Sequence, residues 1–277
     1  MTFSRVPEEA WQRLRSGVRL AASSLLDLMY PEYCVLCGAE PVEGPWCPAG
    51  PLVPGVAWHD GPHLCAECAC IVAPEVVQGH LPESGVPVFA GRSTGPELVQ
   101  MLGQWKYHGV RGLAWPLAPL VRAAVEVAVR QCGGVDQLVP VALHGRRQRQ
   151  RGFNQALVLA RFGVAPSTGR VRSDLLRRTR WTGQQAKLDT AEARQANVAG
   201  AFAVRRDPVP GAGRRIGLVD DLVTGGTTCD SAVAALRASG WQVSWVVALG
   251  LAGGEAPSNE VSGTDRDRQV DSAPMEF

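Results

Sequence analysis

The stretch Ile216-Gly217-Leu218-Val219-Asp220-Asp221-Leu222-Val223-Thr224-Gly225-Gly226-Thr227-Thr228 decides the fold class of this chain. Its apolar start predicts a buried parallel strand that is covered on both faces, as in an α/β sheet. Its two acids then fall at the carboxyl end of the strand, where open α/β sheets bind ligands. The Thr/Gly segment predicts a tight turn into a helix that Thr228 caps, with backbone N–H groups and the helix dipole directed at an anion. We therefore expect this loop to bind a phosphate group.

The order of these parts distinguishes the stretch from other phosphate sites. It has neither the Gly-Lys-Ser/Thr of a P-loop nor a Gly-x-Gly-x-x-Gly dinucleotide fingerprint. It resembles instead the motif with which type I phosphoribosyltransferases bind phosphoribosyl pyrophosphate (PRPP). The resemblance implies that Asp220 and Asp221 bind the ribose 2- and 3-hydroxyls, and that the 5-phosphate is bound by Thr224, Gly225, Gly226, Thr227 and Thr228. The family loop usually reads Thr-Thr-Gly-Ala-Thr, so Gly225 and Thr227 are departures that keep the backbone donors. The structural alternative is a strand end with solvated acids and an ordinary helix cap.

Length and composition set wide bounds. A chain of 277 residues suits one large domain or two smaller ones, with enough core for a sheet of five or more strands. The net charge of +2 excludes neither nucleic acid nor small anions as ligands. Lys106 and Lys187 are the only lysines, so arginine carries most of the positive charge. Arginine suits bidentate phosphate contacts, but a GC-rich genome produces the same bias.

The first 30 residues show the spacing of an amphipathic helix. Apolar residues recur at alternating three- and four-residue steps: Trp11, Leu14, Val18, Ala21, Leu25 and Leu28. Asp27 and the scattered arginines argue against a secretory signal, and no segment offers about twenty uninterrupted apolar residues for a membrane span. We expect this helix to pack on its own protein in the cytoplasm, with a membrane-surface or partner-binding role as the alternative.

Six of the eight cysteines lie between residues 34 and 70. Two Cys-x-x-Cys pairs can present four thiolates to a structural zinc ion, and a reducing compartment favours metal over disulfides. We assign as ligands Cys34, Cys37, Cys65 and Cys68. Cys47, Cys70 or one of His59 and His63 remains open as a replacement for one of them. The alternative is a set of buried cysteines without metal.

The downstream pattern predicts the main domain. Helices are expected at 97–107, 112–131 and 228–239, and strands at 136–143, 201–204, 215–220 and 242–251. We divide the chain into an amphipathic helix at 1–30, a zinc-binding module at 31–75, a phosphoribosyltransferase-like domain at 86–252 and a disordered tail at 253–277.

Four arginines follow the strand predicted at 136–143, namely Arg146, Arg147, Arg149 and Arg151. Cations at the carboxyl end of a strand suit a pyrophosphate or a nucleic-acid backbone, or simply form a solvated face. The segment contains no interleaved aromatic residues, so the sequence does not specify a nucleic-acid groove.

Several blocks, taken in order along the chain, look like the ComF family. They are Lys106-Tyr107-x-Gly109, Val139-Pro140-Val141, Arg151-Gly152-Phe153-Asn154-Gln155, Gln185, Asn197-Val198, Phe202 and Val219-Asp220-Asp221. That family joins an amino-terminal zinc module to a phosphoribosyltransferase-like domain and is associated with bacterial competence and DNA uptake. The match runs from about residue 31 to about residue 250, with Ala142 in place of the family proline and Trp105 in place of leucine. It implies that Lys106 and Arg151 are further substrate-binding residues.

The resemblance implies PRPP chemistry. A nitrogen nucleophile would displace pyrophosphate from C1, with Mg²⁺ bound mainly through ligand oxygens. By position, residues 140–146 would line the pyrophosphate and residues 177–187 would form a mobile hood, or else an ordinary solvated loop. No residue stands out as a general base, so the catalytic residue is unassigned. Two alternatives stay open: a PRPP-responsive binding protein without turnover that serves competence-machinery proteins, and a module that binds single-stranded DNA. The sequence predicts neither the acceptor nor the oligomeric state.

Overall fold

The structure, a computed structural model, describes residues 34, 36–39, 64–65, 67–68, 72–107, 113–181, 200–205 and 214–255. Several predictions lie outside these residues. They are the helix at 1–30, the alternative ligands Cys47, Cys70, His59 and His63, the hood residues 182–187, and the tail from residue 256 onward.

A seven-stranded sheet forms the centre of the molecule. The described helices are α1 (Pro96–Tyr107), α2 (Ala114–Cys132), α3 (Gly145–Arg151), α4 (Gln155–Phe162) and α5 (Thr227–Ala238). The strands are β1 (Val77–His80), β2 (Pro87–Ser93), β3 (Gln137–Pro140), β4 (Arg170–Val171), β5 (Leu176–Arg178), β6 (Phe202–Val204), β7 (Arg215–Val219), β8 (Leu222–Val223) and β9 (Gln242–Leu251). The order is β1-β2-β9-β7-β3-β4, with β8 beside β9, while β5 and β6 form a separate antiparallel pair. Strands β2, β9, β7, β3 and β4 run parallel, and β1 is antiparallel to β2.

Helices cover both faces of this sheet. Successive strand residues point to opposite sides, so Leu138 and Val219 join one buried cluster while Val139 and Leu218 join the other. The first cluster contains apolar residues of α1, α2 and α4, and the second contains those of α5 and the β5–β6 pair. The predicted open, mainly parallel α/β sheet with helices on both faces is therefore confirmed.

The chain order reverses between β3 and β7. From β3 the chain goes on to β4 at one edge, whereas from β7 it goes through α5 to β9 on the other side. The two strands are parallel neighbours, and the Val141 N–H donates to the Val219 carbonyl at 2.8 Å, just beyond β3. Loops that leave a sheet at such a reversal diverge and open a crevice at the carboxyl ends of the strands.

The structure corrects two of the expectations from the sequence. Helix α5 begins at Thr227 with Gly226 as its N-cap, so the predicted Thr228 cap is wrong; glycine accommodates the φ of 71° that this turn requires. Residues 177–178 belong to β5, not to a loop, because they pair with β6. Strand β1, which precedes residue 86, belongs to the main sheet, and the division of the chain into domains remains a prediction.

Strand β7 needs glycine at position 217. A methyl group there would overlap the indole ring of Trp245, which is fully buried against the strand. We expect Gly217→Ala to lower the free energy of unfolding by about 1–3 kcal/mol, because the core must shift to admit the methyl group. Urea denaturation measures the change. The control is Gly103→Ala on α1, where the new methyl group meets nothing within 4 Å, and helix propensity favours alanine by about 1 kcal/mol. Equal effects of the two substitutions would contradict this packing.

Candidate functional site

The acid pair is fixed by the main chain of β9. The Asp220 N–H donates to the Val247 carbonyl at 2.9 Å, and the Asp221 carbonyl accepts from the Leu249 N–H at 3.1 Å. The Asp221 N–H also donates to Oδ1 of Asp220 at 2.8 Å. The main chain of both acids is therefore fixed at the carboxyl end of β7, beside β3.

Lys106 forms an ion pair with Asp221, the second acid of the pair. Its Nζ is 2.8 Å from Oδ2 of Asp221, and both side chains are only 16% exposed. Lys106 belongs to the last turn of α1. The structure thus brings together two predicted site residues, Lys106 and Asp221, that are far apart in sequence.

Asp220 has a perturbed acidity. Burial raises its pKa to about 7, helped by the negative charge of Asp221 and opposed by the Asp221 N–H and Lys106. Its Oδ2 lies 3.5 Å from Sγ of Cys229, which donates to it. Burial, and then the charge of Asp220, raise the pKa of the Cys229 thiol well above its usual value. Cys229 therefore remains a protonated hydrogen-bond donor and not a nucleophile.

The predicted phosphate loop lies between β8 and α5. Thr224 and Gly225 are exposed, Gly226 is buried, and the Asp230 N–H donates to the Gly226 carbonyl at 2.8 Å in the first turn of α5. The amino-terminal end of this twelve-residue helix thus follows directly on the loop. Such an end presents backbone donors and a positive dipole to an anion.

The turn between β1 and β2 supports this loop. The buried Asp230 carboxylate accepts from the N–H groups of Glu83 at 3.2 Å and Ser84 at 3.0 Å. Pro82, in the same turn, lies so close to Gly226 that a Cβ there would be 2.5 Å from its Cδ. The sequence carries no local signal for this contact, since Asp230 looks like an ordinary first-turn acid of a helix.

The Arg-Gly-Phe-Asn-Gln motif builds a corner between α3 and α4. Gly152 ends α3 with a φ of 78°, and Asn154 caps α4 by accepting from the Ala156 N–H at 3.0 Å. The Asn154 Nδ2 donates to the Val141 carbonyl at 3.0 Å, which ties the corner to the loop after β3. Arg151 donates to Oε1 of Gln155 at 3.3 Å, and its guanidinium lies 5.3 Å from the ring of Tyr107.

Arg178 is a candidate site residue that the sequence analysis placed only in a mobile hood. It is buried on β5, beside His144 in a parallel bridge. Burial lowers its pKa to about 10, as does the positive charge of Arg147, while the negative charge of Asp220 opposes both. The exposed neighbour Arg177 instead lines a cavity of about 730 Å³. The alternation along β5 was the available signal: Arg178 lies two residues beyond the buried Leu176 and therefore on the same side of the strand, whereas Arg177 faces solvent.

Aromatic rings flank α3, the arginine helix, which carries Arg146, Arg147, Arg149 and Arg151. Trp181, 43% exposed, has its ring 5.1 Å from the guanidinium of Arg146 and 5.4 Å from that of Arg147. Tyr107, 63% exposed, lies beside Arg151. The arginine segment has no interleaved aromatics of its own in the sequence, because these two rings come from segments that are distant along the chain.

The four predicted cysteine ligands form one cluster. Their Sγ atoms all lie within 4.8 Å of one another, and those of Cys37 and Cys65 are 3.6 Å apart. Burial opposes ionisation of Cys34, but backbone N–H groups directed at its sulfur outweigh it and lower its pKa to about 6. The cluster could hold a metal ion.

Among the described helices, none is long and apolar enough to cross a membrane.

No protein-family model matches the chain. It is 34% identical over 135 residues to DNA utilization protein YhgH of Escherichia coli K12, covering 48% of this chain and 58% of that protein. It is 31% identical over 148 residues to Competence protein F of Haemophilus influenzae, covering 50% of this chain and 62% of that protein. The chain thus spans about three-fifths of the length of these curated relatives. The resemblance to the ComF family is confirmed over this matched region.

A solved adenine phosphoribosyltransferase aligns with 67% of this chain and 90% of its own, at 14% identity and a TM-score of 0.34. The fold is defined by the strand order of this chain itself.

The raised pKa of Asp220 predicts a pH dependence of stability. An exposed aspartate titrates near 3.8, so the folded protein binds this proton more tightly than the unfolded chain does. Stability contributed by Asp220 is therefore present at about pH 4, falls as the pH rises to about 7, and is constant above that. We expect Asp220→Asn to gain stability relative to the parent across this window, by at most about 4 kcal/mol.

Urea denaturation at several pH values measures this trend. The matched control is Asp174→Asn, because a hydrogen bond from Arg172 lowers the pKa of Asp174 and its contribution is lost as the pH falls. The two variants should therefore deviate from the parent in opposite directions. A stability difference between Asp220→Asn and the parent that does not vary with pH would contradict the prediction.

Proposed function

We propose that this chain, a ComF-family relative with a phosphoribosyltransferase-like α/β sheet, binds PRPP in the crevice between β3 and β7. The observation that carries the proposal is the fixed acid pair Asp220–Asp221, followed by a Thr/Gly loop that enters α5. Carboxylates suit the two ribose hydroxyls, and a helix amino terminus suits the 5-phosphate of the same sugar.

Each group around the crevice has a role in this proposal. Asp220 and Asp221 accept hydrogen bonds from the ribose hydroxyls, and the backbone N–H groups of residues 224–228 donate to the 5-phosphate. Arg147 and Arg178 offset the charge of the pyrophosphate, as does Lys106, which also offsets Asp221. Mg²⁺ would be bound mainly through PRPP oxygens and water. Arg151, beside Tyr107, lies farther along the same arginine helix.

Turnover would be displacement of pyrophosphate from C1 by a nitrogen acceptor. The bond to the pyrophosphate oxygen breaks as the new C1–N bond forms, and the transition state resembles an oxocarbenium ion. Cations near the leaving group then stabilise the charge that develops on it. The alternative is a PRPP-responsive protein without turnover. Release of pyrophosphate in the presence of a candidate acceptor distinguishes the two.

A structural zinc ion is the metal we propose for Cys34, Cys37, Cys65 and Cys68. Tetrahedral zinc with Zn–S bonds of about 2.3 Å separates its sulfurs by about 3.8 Å, close to the 3.6 Å between Cys37 and Cys65. The four cysteines therefore fit zinc. The division into a zinc module at 31–75 and a following phosphoribosyltransferase-like domain remains our proposal, as does a cytoplasmic location.

A second candidate function is binding of single-stranded DNA. The observation that favours it is the combination of the arginine helix with the exposed rings of Trp181 and Tyr107. Arginines contact the backbone and rings stack on bases in single-strand sites. The names of the relatives, DNA utilization protein and Competence protein F, agree with this role and with a part in DNA uptake alongside competence-machinery proteins.

The PRPP proposal is tested by thermal unfolding of the zinc-loaded protein. PRPP with Mg²⁺ at about a hundred times its dissociation constant should stabilise the parent by about 2.7 kcal/mol and raise its unfolding temperature. The double variant Asp220→Asn, Asp221→Asn should show no such shift because its ribose acceptors are lost. Glu126→Gln, at an exposed acid within α2, should keep the shift. Absence of a shift in the parent over a wide PRPP range would refute PRPP binding.

The DNA proposal is tested by fluorescence anisotropy with an oligothymidine. Binding should weaken steeply with salt, and replacing Arg146, Arg147, Arg149 and Arg151 by Gln should flatten this dependence. Trp181→Ala should cost about 1–3 kcal/mol of binding free energy through lost base stacking. Replacing Arg130 and Arg161, which belong to α2 and α4, serves as the charge control. If the control weakens binding as much as the α3 variant, the arginine helix is not the site.

A further inference from the structure

Helix α1 joins the cysteine cluster to the acid pair. Near its start, Nε2 of Gln100 donates to the carbonyl of Leu36 at 3.1 Å. Leu36 lies between Cys34 and Cys37, two residues of the cluster. At its end, Nζ of Lys106 contacts Asp221 at 2.8 Å. A twelve-residue helix is about 18 Å long, so one rigid element spans the distance between the two sites.

The cluster and α1 also share one apolar core. Cys34, Cys65 and Cys68 are buried in the same hydrophobic cluster as the inner face of α1, which consists of Leu98, Met101, Leu102 and Trp105. Trp105 precedes Lys106 directly and packs against Phe153, with ring centroids 5.8 Å apart. The position of Lys106 therefore depends on packing to which the cluster residues contribute.

Helix α1 depends on such packing. It contains Gly103, which lowers helix propensity by about 1 kcal/mol relative to alanine, and a helix of this length is marginal in isolation. The residues that carry the cysteines, in turn, depend on a cross-link. Gly38, at a φ of 73°, donates from its N–H to the Cys34 carbonyl at 2.8 Å, a tight turn that presents Cys34 and Cys37 to the other pair. Without a shared ion, four buried or crowded thiols provide little cohesion.

We infer that metal occupancy of the cysteine cluster controls the affinity of the phosphoribosyl site, because α1 holds Lys106 on Asp221. The inference rests on the proposed zinc and PRPP sites. With the metal bound, the cluster supports α1, and Lys106 offsets the charge of the acid pair. With the metal lost, α1 loosens and Lys106 leaves Asp221. Asp220 and Asp221 then repel each other with no lysine beside them. This repulsion disfavours the state in which both are ionised, which is the state that accepts hydrogen bonds from the ribose hydroxyls.

Linkage makes this coupling reciprocal. If zinc tightens PRPP binding by some factor, PRPP must tighten zinc binding by the same factor. We expect a factor of about five or more, the lower end of typical couplings between sites. The zinc module is then a sensor of metal supply for the sugar-phosphate site and not only an appendage beside it.

The test uses the full chain, with zinc and after removal of zinc by a chelator. Hydrogen exchange should increase at residues 101–107 on zinc removal and stay unchanged at β3, an interior strand hydrogen-bonded to β7 and β4 that exchanges only when the sheet opens. PRPP affinity, measured by calorimetry, should fall by about fivefold or more. Saturating PRPP should slow zinc loss to a chromogenic chelator. Unchanged exchange in α1, or equal PRPP affinity with and without zinc, would overturn the inference.

A variant that keeps all four cysteines separates coupling from folding. Gln100→Ala removes the hydrogen bond to Leu36 and should reduce the effect of PRPP on zinc loss, whereas Gln104→Ala on the same helix should leave it unchanged. If β3 also exchanges after zinc removal, the chain has unfolded as a whole. The effect of Gln100→Ala on zinc loss in the presence of PRPP then decides whether the two sites are coupled. If the zinc-loaded protein binds no PRPP, the proposed function fails and the inferred control of affinity fails with it; if PRPP binds equally well with and without zinc, only the inferred control is overturned.

Discussion

Two carboxylates on adjacent residues repel each other, and here both are held in a partly buried position. The surrounding residues must offset this repulsion for the site to be stable. Lys106 neutralises Asp221. The Asp221 N–H and the Cys229 thiol donate to Asp220, whose pKa nevertheless rises to about 7 because burial outweighs them. Two main-chain hydrogen bonds to β9 prevent the acids from turning apart. The chain itself thus offsets only part of the repulsion between the two acids, which is the condition that the proposed hydroxyl donors and cations of a ligand would meet.

The parts of this site that follow from local pattern could be predicted from sequence. The apolar run of β7 fixes the acids at a strand end, periodicity gives α1 and the full extent of β9, and Cys-x-x-Cys spacing identifies the cluster. The rest depends on contacts between distant segments. Arg178 is directed inward only because β5 pairs with β6, and Asp230 matters only because the β1–β2 turn lies against α5. The Thr228 cap was wrong for a local reason, since Gly226 in a left-handed conformation starts the helix one residue earlier.

The two candidate ligands would meet on one short helix. Arg147 faces Trp181 on one side and is close enough to the buried Arg178 to lower its pKa. The same guanidinium therefore belongs to the surface suited to a DNA strand and to the cationic wall opposite Asp220. Since one arginine cannot serve two phosphates with full strength, the arrangement favours competition between a sugar diphosphate and a nucleic-acid backbone over independent binding.

The contact between Pro82 and Gly226 ties two loops that belong to different parts of the chain. At position 226 there is no space for a side chain, because a single added carbon would come within 2.5 Å of the proline ring. In evolutionary terms the two positions are epistatic. A residue larger than glycine at position 226 can be accepted only after the turn between β1 and β2 has changed, so this position is constrained by a residue from a distant part of the chain.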